Sequence, residues 1–290
     1  MSDRLLRLED PGYPEVLREV ADAPSLLHVR GVLPPSAGAV AIVGSRKATP
    51  YGRRMARRLA EGCARAGVPV VSGLARGVDT EAHLAALDAG GTTWAVLGCG
   101  LDVAYPPENA ALAERIVRSG GALLSEFPPG TPPLAAHFPR RNRIISALAC
   151  AVVVVEGDLR SGSLITARIA LAQGREVFAV PGPADSPLSA GPLELLRQGA
   201  ALARGYEDLA EELPELLPAP ASTVDSGPAC AAQLSADEGK IIELLASSSM
   251  TVEELAAGTG WPTPRLLGVL TELEGRDLVL AMAGQRYARY

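Results

Sequence analysis

From residue 39 onward, short apolar runs alternate with segments of helical period. "AVAIVG" (39–44) precedes "YGRRMARRLAEGCARAG", "VPVVSG" (68–73) precedes "VDTEAHLAALDAGG", and "TTWAVLG" (92–98) precedes "NAALAERIVRSGG". "ALLSEF" (122–127) follows, then "ACAVVVVE" (149–156) with the helical "SLITARIALAQGR", and "EVFAVPG" (176–182). The runs are apolar at consecutive rather than alternate positions, so each strand must be covered on both faces. Strands of this kind separated by helices predict an α/β fold, a parallel sheet with helices on both faces. Ligands in such folds bind outside the carboxyl ends of the strands. That is where this chain places its glycines, serines and arginines.

The pattern changes after Tyr206. "EELPELLPAPASTVDSGPACAA" is rich in Pro, Ala and Ser without periodicity and reads as a linker. Beyond it, Ser235 with Glu238 and Thr251 with Glu254 have the spacing of capping boxes, each opening a helix. "TPRLLGVLTELEGRDLV" is a third amphipathic helix and "LAMAGQRYARY" a terminal hairpin. Three helices and a hairpin in that order predict a small winged helix-turn-helix domain. The expected organisation is an N-terminal extension over 1–36, the α/β domain over 37–210, a linker over 211–233 and the winged helix over 234–290.

Composition excludes several classes of function. Aromatic residues make up 4% of the chain, too few for extended stacking platforms. Cys63, Cys99, Cys150 and Cys230 show no C-x-x-C spacing and read as reduced thiols. His28, His83 and His137 are too scattered for a metal site, and neither metal nor cofactor is expected. The longest apolar run, Ala147 to Val155, has strand length, so the expectation is a cytoplasmic protein without membrane contact.

The net charge of −6 argues against a nucleic-acid binder until its distribution is read. Residues 36–210 carry eighteen basic and fifteen acidic side chains, whereas residues 233–290 carry five and eight. The α/β domain is therefore positive between acidic flanks.

Four segments carry candidate chemistry. In "VGSRKATPYG", Gly44, Ser45 and Arg46 follow the first of these strands, with Lys47 beside them. Free backbone N–H groups, a hydroxyl and a guanidinium fork suit an anion, although a tight turn with a solvated arginine explains them equally. No G-x-G-x-x-G or Walker A loop occurs. In "SGLARGVDTEAHLAAL", Arg76 points to the same end of the sheet and Asp79 caps a helix, while Asp79, Glu81 and His83 read as capping and packing rather than an acid–base cluster. In "RSGSLITAR", Ser161, Gly162 and Ser163 open a helix with Thr166 in its first turn, a second anion site or a simple N-cap. In "HFPRRNRIIS", Arg140, Arg141 and Arg143 cannot all face one side of a strand or helix. One or two are expected to reach the strand-end crevice and another to form a structural ion pair. Phe138 either stacks on a base or fills core.

These motifs, together with "AVLGCGLDVAYPPEN" and "SEFPPG", resemble in order those of the DNA-processing protein A (DprA/Smf) family over residues 11 to 205. The resemblance implies an extended Rossmann fold that binds single-stranded DNA, forms a homodimer and loads the recombinase RecA during natural transformation. It implies that Gly44, Ser45 and Arg46 line the DNA pocket with Phe138, Arg140, Arg141, Asn142 and Arg143. Three departures accompany it. The sterile-alpha-motif domain of many relatives is expected to be absent, because the residues before the sheet are few. Leu193 in "SAGPLELL" stands where the family usually has asparagine. The third helix of the C-terminal unit offers Arg265 and Arg276 against Glu272, Glu274 and Asp277, which favours a protein contact or auxiliary role over duplex reading.

The expected function is thus a non-enzymatic single-stranded DNA binder and recombination mediator. The alternative is a nucleotide phosphoribohydrolase of the lysine decarboxylase-like type. That family's "PGGxGTxxE" loop carries a glutamate, whereas "RSGSLITAR" carries no carboxylate. A nucleotide-sensing transcription regulator is a third reading, opposed by the acidic C-terminal unit.

Overall fold

A computed structural model describes residues 3–33, 38–219, 235–245, 249–275, 278–282 and 286–289. The chain divides into two units, Met1–Ser222 and Thr223–Tyr290. The first unit runs β1 (Arg4–Arg7), α1 (Glu15–Arg18), β2 (Leu26–Gly31), β3 (Ala39–Val43), α2 (Pro50–Arg65), β4 (Val70–Ser72), α3 (Val78–Asp88) and β5 (Thr93–Leu97). It continues α4 (Ala110–Arg118), β6 (Ala122–Ser125), α5 (His137–Ala147), β7 (Ala149–Val154), α6 (Gly162–Ala172), β8 (Glu176–Ala179), α7 (Ala190–Arg197), β9 (Ala201–Leu202) and α8 (Tyr206–Glu212).

The strands form one sheet in the order β1-β2-β6-β5-β4-β3-β7-β8-β9. From β6 to β9 all neighbours are parallel, while β2 runs antiparallel to β6 and β1 antiparallel to β2. The chain steps outward from β3 through β4, β5 and β6, then crosses back to lay β7 on the free side of β3. The strand order reverses between β3 and β7, and the loops leaving their carboxyl ends diverge to open a crevice.

Side-chain alternation explains why these strands are apolar throughout. Val40, Ile42, Ala151 and Val153 pack with Ala56, Leu59 and Ala60 of α2 and with Ala82 and Ala85 of α3. Their neighbours Ala41, Val43, Val152 and Val154 pack on the opposite face with Ile144 of α5 and with Leu164 and Ala167 of α6. β3 and β7 thus each serve two cores, which leaves them no position for a charged or strongly polar residue.

The N-terminal residues join the sheet rather than standing apart as an extension. Arg4 pairs with Val29 and Arg7 with Leu26, and His28 of β2 pairs with Ser125 of β6. Buried Tyr13 donates to Pro24 O at 2.7 Å, and Arg175 Nη2 donates to Val16 O and Ala147 O, both at 3.1 Å. Cys63 and Cys99 are buried and Cys150 half-buried, all as free thiols, with burial pushing the pKa of each up; Cys230 lies outside the described residues.

The second unit contains α9 (Ala236–Leu244), β10 (Met250–Thr251), α10 (Val252–Thr259), α11 (Thr263–Gly275), β11 (Val279–Met282) and β12 (Arg286–Arg289), its strands ordered β10-β12-β11. Both capping boxes form as the spacing predicts, Ser235 with Glu238 and Thr251 with Glu254. Ile241, Leu255, Leu266, Leu270, Leu273 and Val279 fill its core.

Candidate nucleic-acid interface

The crevice at the switch point is an open groove of about 800 Å³. Gly44, Ser45, Arg46 and Lys47 line it from the β3–α2 loop, and Phe138, Arg141 and Asn142 from α5. Ser161, Gly162, Ser163 and Thr166 line it from the start of α6. Three segments far apart in the sequence therefore meet at one place.

Each wall is held locally. Ser45 Oγ accepts from Lys47 N at 3.0 Å, and Ser45 O accepts from Val78 N at 3.1 Å, which seats the β3–α2 loop on the start of α3. A Cβ on Gly77 would lie 2.3 Å from Ser45 O, and its φ of +74° is a glycine conformation, so this seating requires glycine. Behind the loop, buried Glu156 accepts from Thr49 N at 2.9 Å and from Thr49 Oγ1 at 2.5 Å, placing a carboxylate at the N-terminus of α2.

At α6, Ser161 occupies the N-cap position in extended conformation, but its hydroxyl bonds Ser163 Oγ and not a backbone N–H. Thr166 Oγ1 is turned back to Gly162 O at 3.3 Å, and Asn142 Nδ2 donates to the same carbonyl at 3.4 Å. The first turn of α6 thus faces the groove without a side-chain cap, an arrangement suited to an anion.

The cations separate into two groups. Arg143 pairs with Glu126, donates to Asp22 O and lies 3.5 Å from the Asp22 carboxylate; Arg140 pairs with the same Glu126 at 2.8 Å. Neither arginine lines the groove. They occupy the helix face turned to the β6 end, where Glu126 meets them. Arg76 lines a narrower slot beside the groove with Arg46, Gly98, Tyr105 and Phe138, and it is paired with Glu108. That pairing raises the Arg76 pKa and lowers that of Glu108. Among the described residues no carboxylate pairs with Arg46 or Lys47.

Phe138 is half-buried at the groove rather than in the core. The Arg46 guanidinium lies 5.1 Å from its ring centre, that of Arg141 6.0 Å, and the Tyr105 ring 5.6 Å. Asp79 does not cap α3, whose N-cap is Gly77; its carboxylate accepts from Gly73 N and Ala75 N. Glu81 pairs with Arg53 and Arg57, and buried His83 bonds Thr93 Oγ1 at 2.7 Å, so these three residues share no site.

The sequence pattern does not mark Tyr105 or the apolar members Ile145, Ile165 and Leu188 of the groove. Ile165 is 37% exposed on α6, and that exposure at a strand-end helix is the signal that structure adds. Leu193 is half-buried on α7, two residues beyond Gly191, whose N–H donates to Gly157 O at 2.9 Å.

In the second unit, α11 exposes Thr263, Pro264, Leu267, Thr271, Glu272 and Glu274. Arg265 is paired with Asp237 and lies 4.6 Å from the Trp261 ring centre; Arg276 and Asp277 lie outside the described residues.

Residues 4–214 match the family model of DNA recombination-mediator protein A, and residues 225–285 match the DprA winged helix domain. The chain belongs to the DNA recombination-mediator protein A family. It is 43% identical to Protein Smf of Escherichia coli over 97% of this chain and 76% of that protein. It is 45% identical to DNA processing protein DprA of Bacillus subtilis over 70% of this chain and 69% of the relative. Among solved structures, DprA from Streptococcus pneumoniae superposes with a TM-score of 0.68 at 42% identity, covering 72% of this chain and 74% of the other. DNA processing protein A of Helicobacter pylori, described for its single-stranded DNA binding mode, gives 0.66 at 30% identity over 74% and 96%. A DprA α/β domain and a DprA winged helix are thus joined in this chain, as the sequence pattern predicts. Among the described residues no helix is long and apolar enough to cross a membrane.

Proposed function

We propose that the switch-point groove binds single-stranded DNA and that this chain is a non-enzymatic recombination mediator. The observation that carries the reading is the convergence of unpaired Arg46 and Lys47, the uncapped start of α6 and the half-buried Phe138 ring on one groove. Phosphates are neutralised by the two cations and by backbone N–H groups, and an unpaired base stacks at Phe138. The single-stranded DNA binding mode described for the Helicobacter pylori relative supports the same reading. The carboxylates lining the groove are Asp79 and Asp158; Asp79 is committed to two backbone N–H groups and Asp158 accepts from Arg160 N at 2.7 Å. A nucleophile–base pair of the kind a phosphoribohydrolase needs is not formed by them.

In this reading the bound strand is passed to RecA during natural transformation in the cytoplasm, and a homodimer presents two grooves and gains affinity by multivalency. The winged helix serves a protein contact, because α11 presents neutral and acidic side chains and its Arg265 is occupied by Asp237. Fluorescence anisotropy with labelled single-stranded and duplex oligonucleotides tests the first step. Preferential single-strand binding is expected, and equal affinity for duplex would contradict it. Faster RecA filament growth on single strands pre-mixed with the protein tests the second, and an unchanged rate would remove RecA from the account.

A further inference from the structure

Arg141 lines the groove, yet it is 4% exposed and Asp79 beside it 6%. A phosphate ligand presents its fork to the groove, whereas Arg141 is almost wholly covered and spends Nη1 and Nε inside the protein. Nη1 donates to Gly73 O at 2.7 Å and also to Val96 O, and Nε donates to Asn142 Oδ1 at 3.2 Å. Asp79 Oδ2 accepts the N–H of Gly73 at 3.0 Å and that of Ala75 at 3.3 Å. Both polar backbone groups of Gly73, just past β4, are thereby held by opposite charges. Val96 belongs to β5, so one guanidinium ties the ends of two strands. A Cβ on Gly73 would lie 2.4 Å from Arg141 Nη2, so glycine is what admits the guanidinium.

The electrostatics fit a fixed internal group. Burial pulls the Arg141 pKa down to about 10, offset in part by Asp79, so it stays cationic at neutral pH. Burial pushes the Asp79 carboxyl up, against the pull of Arg141 and of the Ala75 and Gly73 N–H groups.

We propose that Arg141 is a positioning residue and not a phosphate ligand: it fixes the ends of β4 and β5, Asn142 and the Phe138 ring in the arrangement that receives a single strand. This rests on the reading of the groove as a single-strand site. A lysine could supply the charge but not a fork that reaches two carbonyls and Asn142. Charge and geometry therefore separate in Arg141→Lys.

The test is an anisotropy titration of the full chain with labelled oligothymidylate for wild type, Arg141→Lys and Asp79→Asn, with amide exchange at Gly73 and Ala75 in the free proteins. Arg141→Lys is expected to lose roughly tenfold in affinity because preorganisation is lost while charge is kept. Wild-type affinity in that variant would overturn the proposal. Asp79→Asn separates the roles by sign: positioning predicts weaker binding, and a purely electrostatic role predicts tighter binding because a negative charge is gone. This second variant decides the matter if Arg141→Lys does not fold. Faster exchange at Gly73 and Ala75 in either variant is expected, and unchanged exchange contradicts positioning without reference to DNA. Failure of the wild-type protein to bind the oligonucleotide would instead remove the reading of the groove.

Discussion

Arg140, Arg141 and Arg143 lie within one turn of α5 yet meet three environments. A helix turns by about 100° per residue, so near neighbours diverge. Arg143 is sealed against Glu126, with 10% of each side chain exposed, whereas Arg140 is 59% exposed over the same carboxylate. Losing Arg143 leaves the buried Glu126 carboxylate with only the largely solvated Arg140, so Arg143→Ala is expected to cost about 3 kcal/mol, the low end for a broken buried pair, in a urea denaturation series. Arg140→Ala should cost no more than about 1 kcal/mol, since its pair is largely solvated. Neither should change single-strand affinity of the folded protein, and weaker binding in Arg140→Ala would place that residue at the groove. The motif was legible in the sequence as charge next to a buried strand, and so was the need for the arginines to diverge. Which one goes where was not, because the deciding carboxylate, Glu126, lies past the end of β6 and no local spacing announces it. Tyr105 escapes the sequence for a similar reason: it joins the site through the fold and carries no charge to mark it.

At the scale of elements, the strands of the parallel sheet were legible because two-sided burial leaves no polar position in β3 or β7. β1 and β2 were not, since β1 is largely exposed and carries arginines at both ends. Its place in the sheet is decided by pairing with β2, itself paired with β6, which periodicity does not encode. Element α3 carries a pH prediction. His83 is wholly buried, and desolvation with a minor contribution from Arg141 lowers its pKa from 6.5 to about 3. The unfolded chain therefore binds more protons than the native one between these values. The stability this group contributes is complete above about pH 6.5 and falls away as pH drops towards 3. The raised Asp79 carboxyl contributes with the opposite sign, so the comparison is between wild type and His83→Gln. The fall in Tm from pH 7 to pH 4.5 should be smaller in the variant, and equal slopes would show that His83 is not the titrating group. In the winged helix, Ser235→Ala removes one of two reciprocal cap bonds and should cost about 1 kcal/mol in full-chain denaturation.

At the scale of the whole molecule, the proposed function has a chain of net charge −6 bind a polyanion through unpaired cations concentrated at one sheet end, while other arginines nearby are neutralised by carboxylates. The sequence shows the domain charge but not this partition, because Glu108 and Glu126 reach their arginines only in the folded sheet. The acidic second unit is then dispensable for gripping a single strand. Residues 1–222 alone should keep single-strand affinity within about threefold of the full chain, well under the tenfold that about 1.4 kcal/mol represents. A larger drop would move part of the interface to the winged helix.

The most direct measurement is single-strand affinity as a function of salt for wild type and for Arg46→Ala/Lys47→Ala. If both cations meet phosphates, the variant binds more weakly and its slope of log K against log salt is shallower by about 1.4, from roughly 0.7 for each phosphate that is no longer neutralised. An unchanged affinity and an unchanged slope would contradict the assignment of the switch-point groove as the DNA site.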